Sequence, residues 1–258
     1  MGDVLAGSNA VWEFEPDAVV IRWNRGARGS RLLQALGERR IPHAALASVE
    51  LTQGRRGTVV LRAVPRPGAD PLIEAAGGQL KETSDPYRLV LPEQAGTLAE
   101  YYRDELAVAI GTAGAAAGTS ADTAGYGEAA VRFLVDAPPA PRAFKAYDGK
   151  AYFDGRTVTF RWFWTGASTA KWKAGDQSFP VEQLSGVDWR SPELLHGHLR
   201  LLRKNSDRPG SFGAAPGEAD QDPAAVLFGL GYGPVHESLP FAAAVLAAIR
   251  AVRVKPQP

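Results

Sequence analysis

GERRIPHAALASVEL runs from Gly37 to Leu51, and GDQSFPVEQLSGVDW runs from Gly175 to Trp189. Glycine, proline, leucine and valine stand at the same places in both, and acidic residues coincide at two more. A phrase written twice marks a duplicated module, and overlooking such a repeat misassigns the whole fold. Upstream, FEPDAVVIRW from Phe14 aligns with FDGRTVTFRW from Phe153. Downstream, GTVVLR from Gly57 faces GHLRLL from Gly197, and DPYRLVL from Asp85 faces DPAAVLF from Asp222. The blocks keep one order, and their spacing drifts by only a few residues, as small loop insertions would cause.

Each copy reads alike. Val19, Ile21 and Trp23 alternate with Ala18, Val20 and Arg22, and Val158, Phe160 and Trp162 alternate with Thr157, Thr159 and Arg161. Period two with one apolar face predicts a half-buried strand. Glu15-Pro16-Asp17 and Asp154-Gly155-Arg156 precede these strands as hairpin turns. Leu32, Gln34 and Leu36 follow in one copy and Ala170, Trp172 and Ala174 in the other, read as a further strand. A turn at Gly37-Glu38 or Gly175-Asp176 leads into the Ile-Pro or Phe-Pro strand, where proline implies an edge or a strand end. Each copy closes with a helix, its apolar stripe carried by Leu98, Tyr101, Tyr102, Leu106 and Ile110, or by Leu239, Ala242, Leu246 and Ile249. Short strands followed by one helix give the order of a small barrel or split barrel plugged by that helix.

The expected organisation is a first repeat over 1–110, a linker over 111–144 and a second repeat over 145–258. The tract from Gly111 is rich in Gly, Ala, Ser and Thr and has little to bury, as a flexible linker does. Residues 129–135 are either one extra strand or a stretch that docks on a neighbouring domain. A chain of 258 residues suits two domains. A net charge of +1 argues against a protein that coats nucleic acid. With no cysteine, disulfides and thiolate chemistry are excluded. No secretory signal opens the sequence, so the expectation is a cytoplasmic protein, with a peripheral position on the inner membrane face as the alternative.

The order of an acid-containing turn, an alternating strand ending in Arg-Trp, the Gly-acid-x-x-(Ile/Phe)-Pro phrase, a Gly-led strand, Asp-Pro and a helix resembles the bacterial domain-of-unknown-function family 4429. The resemblance covers residues 9–110 and 145–252. It implies an α+β, mainly β fold of two tandem pleckstrin-homology-like split β-barrels, each closed by a C-terminal helix. The shared motifs are structural, so the resemblance carries over no catalytic residue and no cofactor.

Motifs with chemical meaning are few. Gly229, Gly231 and Gly233 imitate a dinucleotide fingerprint, but no strand follows the helix to complete a βαβ unit. His196 and His198, two apart on a strand, would face one way and could share a divalent cation, yet no third ligand is in view. The charge feature with a functional reading is the early hairpin of each copy. Arg22, Arg25, Arg28, Arg31, Arg39 and Arg40 stand there against Glu38, and Arg161, Lys171 and Lys173 interleave with Trp162, Trp164 and Trp172. The candidate anion or partner site is therefore Arg25, Arg28, Arg31, Lys171, Lys173 and Trp164, with strand alternation turning Lys171 and Lys173 outward and Trp172 inward. The expected function is non-enzymatic binding or scaffolding through a protein partner or self-association. The alternatives are anionic lipid binding by these hairpins and an enzyme with an unrecognised site.

Overall fold

The computed structural model describes residues 3–24, 26, 30–116, 133–204 and 218–254. The chain packs as two compact units, one formed by Met1–Asp70 and Lys81–Asp136, the other by Pro71–Leu80 and Ala137–Pro258.

In the first unit, β1 (Asp3–Ala6), β2 (Ala10–Phe14), β3 (Ala18–Trp23) and β4 (Glu38–Pro42) form an antiparallel sheet in that order, with α1 (Arg31–Leu36) between β3 and β4. A second antiparallel sheet orders β5 (Leu46–Gln53), β6 (Thr58–Pro65) and β7 (Arg88–Pro92). Between β6 and β7 lies α2 (Pro71–Ala76), which packs as part of the second unit. The first unit is closed by α3 (Gly96–Ala116), which lies against β5, β6 and β7.

The second unit repeats the plan. Its four-stranded sheet holds β8 (Ala143–Lys145), β9 (Gly149–Phe153), β10 (Thr157–Trp162) and β11 (Gln177–Pro180), with α4 (Thr169–Ala174) before β11. Its three-stranded sheet orders β12 (Leu184–Arg190), β13 (His198–Arg203) and β14 (Ala225–Leu227). A short α5 (Glu218–Gln221) precedes β14, and α6 (Val235–Val254) ends the unit. The two sheets of each unit stay separate, and among the described residues none closes into a barrel. Pro42 and Pro180 end β4 and β11, both edge strands, and a single 3₁₀ turn then carries the chain into the other sheet. Proline offers no N–H to prolong a ladder, so pairing stops at that corner.

Equivalent hydrogen bonds fix the correspondence between the repeats. The Ser8 amide donates to Val90 O and the Tyr147 amide to Leu227 O, both at 2.8 Å. The Asn24 amide donates to Asn9 O and the Phe163 amide to Asp148 O, both at 2.9 Å. Each first strand of the smaller sheet carries a bulge, at Leu46/Ser48 and at Leu184/Gly186. The predicted hairpins form, with Asp154 Oδ1 accepting from the Arg156 and Thr157 amides at 2.8 and 2.7 Å.

Three expectations need correction. The segment read as a strand in each copy is a short helix, because a serine at the N-cap position precedes it and a glycine at φ 68° stops it. The alternation in β3 is incomplete, since Val20 is only 4 % exposed. It pairs with Glu13 on one side and Arg40 on the other, whose long stems flank it. The α3 stripe is rotated: Leu98 and Tyr101 are exposed while Ala99, Leu106 and Ile110 are buried. Of the two readings of residues 129–135, the described part, Phe133–Val135, forms no strand. The Leu134 and Val135 amides both donate to Ala69 O at 3.0 Å, docking this stretch on the first unit, and residues 129–132 lie outside the described residues.

The stripe of α6 is buried as its spacing requires, at Leu239, Ala242, Leu246 and Ile249. The helix is more deeply covered than α3 because α2 packs along it in addition to β12. Val235–Arg253 is long and apolar enough to cross a membrane by length and composition, with half of that window buried.

Candidate functional site

At the start of β9, Asp148 turns inward, and the helical turn of α4 brings Lys171 to meet it. Nζ and Oδ2 are 2.6 Å apart, and both side chains are 0 % exposed. Asp148 Oδ1 also accepts the Leu227 amide at 2.8 Å, so one carboxylate ties β14 to α4. Burial pushes the Asp148 carboxyl above its ordinary 3.8, against the opposing pull of Lys171 and the Leu227 amide. The Trp162 ring lies beside the pair, its centroid 5.2 Å from Lys171 Nζ.

With Lys171 facing inward, α4 turns Trp172 and Lys173 outward. Trp172 is 47 % exposed, Trp164 is 76 % exposed, and the two rings meet edge to face at 4.8 Å. Next to them the Lys145 ammonium lies 5.5 Å from the Phe163 centroid and 5.2 Å from that of Tyr232. Tyr147 packs edge-on against Tyr232 at 6.2 Å. These groups surround a cleft of about 590 Å³ lined by Lys145, Tyr147, Trp162, Phe163, Trp164 and Tyr232. Its wall depends on Gly166, where a Cβ would sit 2.5 Å from Tyr147 O. A neighbouring cavity of about 570 Å³ shares Tyr147 and Tyr232 and is bordered by Leu230, which is fully exposed. Exposed aromatic groups gathered at one place mark an interaction surface far better than scattered ones do.

The first repeat arranges its charges differently. Arg22 bridges Glu13 at 2.6 Å and Glu38, and Arg40 bridges Glu15 at 3.0 Å and Asp17 at 2.5 Å. Arg39 is buried, donating to both Asp70 oxygens at 2.8 and 2.9 Å, and Tyr87 Oη donates to Asp70 Oδ2 at 2.6 Å. Burial works against the Arg39 charge, yet Asp70 more than offsets it and holds the guanidinium above its ordinary value. Burial also drives the Tyr87 phenol well above 10.0. Three of the hairpin arginines, Arg22, Arg39 and Arg40, are thus paired with carboxylates from neighbouring strands and loops.

Of the predicted site residues, Trp164 lines the cleft of the second repeat, and Lys173 is exposed on α4. Lys171 is not: the expectation of an outward Lys171 fails because helical geometry, not strand alternation, sets its direction. Arg31 is exposed as the first residue of α1. Arg25 and Arg28 lie outside the described residues. The two histidines do not share a face. His196 is exposed on a turn at φ 60°, while His198 is buried in β13 with Nδ1 2.8 Å from His196 O. Among the described residues no cluster of histidine and acidic groups suits a metal ion. Residues 229–233 form a tight turn before α6, closed by paired Gly229 and Tyr232 backbone bonds at 3.3 and 3.0 Å.

Sequence reasoning overlooked Lys145, Tyr147, Phe163 and Tyr232. A signal for three of them was present: alignment of the copies places them opposite Ala6, Ser8 and Asn24. A family model described as Domain of unknown function (DUF4429) matches residues 12–107 and again residues 151–246, together more than half of the chain. No curated protein matches the chain.

Proposed function

From the premise that the chain belongs to the DUF4429 family through two tandem copies, we propose that it is a non-enzymatic binding protein whose second repeat presents the contact surface for a protein partner. The observation that carries this reading is Trp164, 76 % exposed and propped by Trp172, at the lip of a concave aromatic cleft. Tryptophan and tyrosine in such settings supply large contact area at little conformational cost. Four antiparallel strands, three antiparallel strands and a closing helix in each copy support reading both as pleckstrin-homology-like modules. Anionic lipid binding through the basic hairpins is the weaker reading, because Arg22, Arg39, Arg40 and Lys171 are already paired with carboxylates.

The test is affinity capture from the native cell extract with wild type, Trp164→Arg and Val108→Asp as baits, followed by mass spectrometry. Trp164→Arg installs the first repeat's residue at that place, and Val108 is exposed on α3, far along the chain from the rim. A protein held by wild type and Val108→Asp but lost with Trp164→Arg is the expected result. The same proteins held by all three would refute the rim as the contact surface. Turnover of a defined small molecule that an active-site substitution abolishes would refute the non-enzymatic part.

A further inference from the structure

The charge at the cleft narrows the partner's chemistry, an inference that rests on the protein-binding reading above. We infer that the cleft around Lys145 takes an acidic segment of the partner, seating a carboxylate on the Lys145 ammonium and an adjacent aromatic or aliphatic side chain against Trp164 and Tyr147. Three observations converge. Lys145 stands over two ring faces, at 5.5 and 5.2 Å, and among the described residues no carboxylate lies within ion-pair distance of it. Acidic groups near by on the same elements are engaged, Asp148 with Lys171 at 2.6 Å and Asp176 with Arg161 at 3.6 Å. Asp220 lines the neighbouring cavity and accepts from the Gln221 side chain at 2.9 Å. Lys145 is the one charged residue lining the cleft, and it has no ion-pair partner among the described residues, so the complement of the cleft is negative.

The third observation comes from the duplication itself. At the positions of Lys145, Tyr147 and Phe163 the first repeat has Ala6, Ser8 and Asn24. It makes the same backbone bonds there, and Asn24 Nδ2 merely ties back to Gly7 O and Ser8 O at 3.2 and 3.1 Å. The fold therefore does not require a lysine and two aromatic rings at this rim. A concave site of about 590 Å³ also suits inserted side chains better than a flat bilayer surface.

The test titrates the full chain, by calorimetry, with a short synthetic peptide of alternating glutamate and phenylalanine and with its lysine and phenylalanine counterpart. The acidic peptide is expected to bind, with the basic one weaker by about tenfold or more, since like charges meet at the cleft. Lys145→Glu should reverse that preference, and Trp164→Arg should weaken the acidic peptide by about tenfold. Lys145 and Trp164 are both exposed, so neither substitution endangers the fold. Equal binding of the two peptides, indifference to Lys145→Glu, or no binding of the acidic peptide would overturn the inference. So would co-sedimentation with phosphatidylserine vesicles that is lost in Lys145→Glu while the peptides fail to bind. A partner captured from extract through Trp164 but insensitive to Lys145→Glu would leave the protein-binding reading standing and remove only the acidic class.

Discussion

Both repeats tie the strand before their closing helix to the turn that opens their second strand, and they do so with different chemistry. In the first, Asn9 spans the strand as an amide can, donating to Arg88 O at 2.7 Å and accepting the Val90 amide at 2.8 Å. Leu33 of α1 is buried. In the second, Asp148 stands for Asn9 and Lys171 for Leu33, and a buried ion pair replaces an amide and a hydrocarbon. The exchange runs the other way at β4: Arg39, Asp70 and Tyr87 form a buried network in the first repeat, where the second has Gln177 and Ala224 at the matching places of the first and third. One backbone plan thus accepts a polar or an apolar solution at the same place, provided that every partner changes with it. A buried charge left alone costs far more than the intact pair contributes.

The largest break in this comparison should come from Asp148→Asn alone, which leaves Lys171 buried without its counterion. We expect a loss of about 3–5 kcal/mol in urea unfolding of the second unit. The double variant Asp148→Asn/Lys171→Leu copies the first repeat and should recover most of it; failure to recover would show that the two solutions are not interchangeable. Next, Arg39→Gln copies the second repeat but abandons Asp70, and should cost about 3 kcal/mol in the first unit. A loss below about 1 kcal/mol, the size of an exposed pair, would mean that the network is solvated.

A smaller effect sharpens the contrast between the closing helices. Leu72 is fully buried in α2, so Leu72→Ala should cost about 2–3 kcal/mol. Although Leu72 belongs to the first repeat by sequence, hydrogen exchange should show the loss in α6 and β12, which α2 covers. Faster exchange in α3 instead would contradict the packing. Glu74 and Arg250 also join α2 to α6, but as a partly exposed pair they should contribute at most about 1 kcal/mol.

The smallest effect is a difference in pH response. His43 occupies the place of Val181, and burial holds its imidazole below the ordinary 6.5, with Nε2 lacking a hydrogen-bond partner among the described residues. The unfolded chain therefore binds the proton first. Stability from this group is complete above 6.5 and is lost as pH falls from there through the lower folded value. Thermal melts should show His43→Val flattening that fall without altering the response of the second unit. An unchanged slope would exonerate His43.

Much of this architecture was legible as text. Duplication, hairpins, proline-ended edge strands and the α6 stripe follow from local rules, since period two, turn chemistry and helical spacing each act over a few residues. The direction of Lys171 did not, because one residue's side depends on whether its segment is a strand or a helix, and Ser168 and Gly175 tipped that choice. Nor did the fate of the arginines, whose carboxylates arrive from neighbouring strands and loops: Asp17 lies 23 residues from Arg40, and Asp70 lies 31 residues from Arg39.

By itself, then, the sequence determined that one module occurs twice, where its central hairpin turns fall and that a helix closes each copy, because those features are encoded by periodicity and turn residues close together in the chain. Only the tertiary structure decided which charges are hidden and which remain available. It buried Lys171 and Arg39 against distant partners, sent Pro71–Leu80 to the second unit, and gathered Lys145, Tyr147, Phe163, Trp164 and Tyr232 around one cleft. Those outcomes depend on contacts between residues far apart in the chain, which no local pattern records.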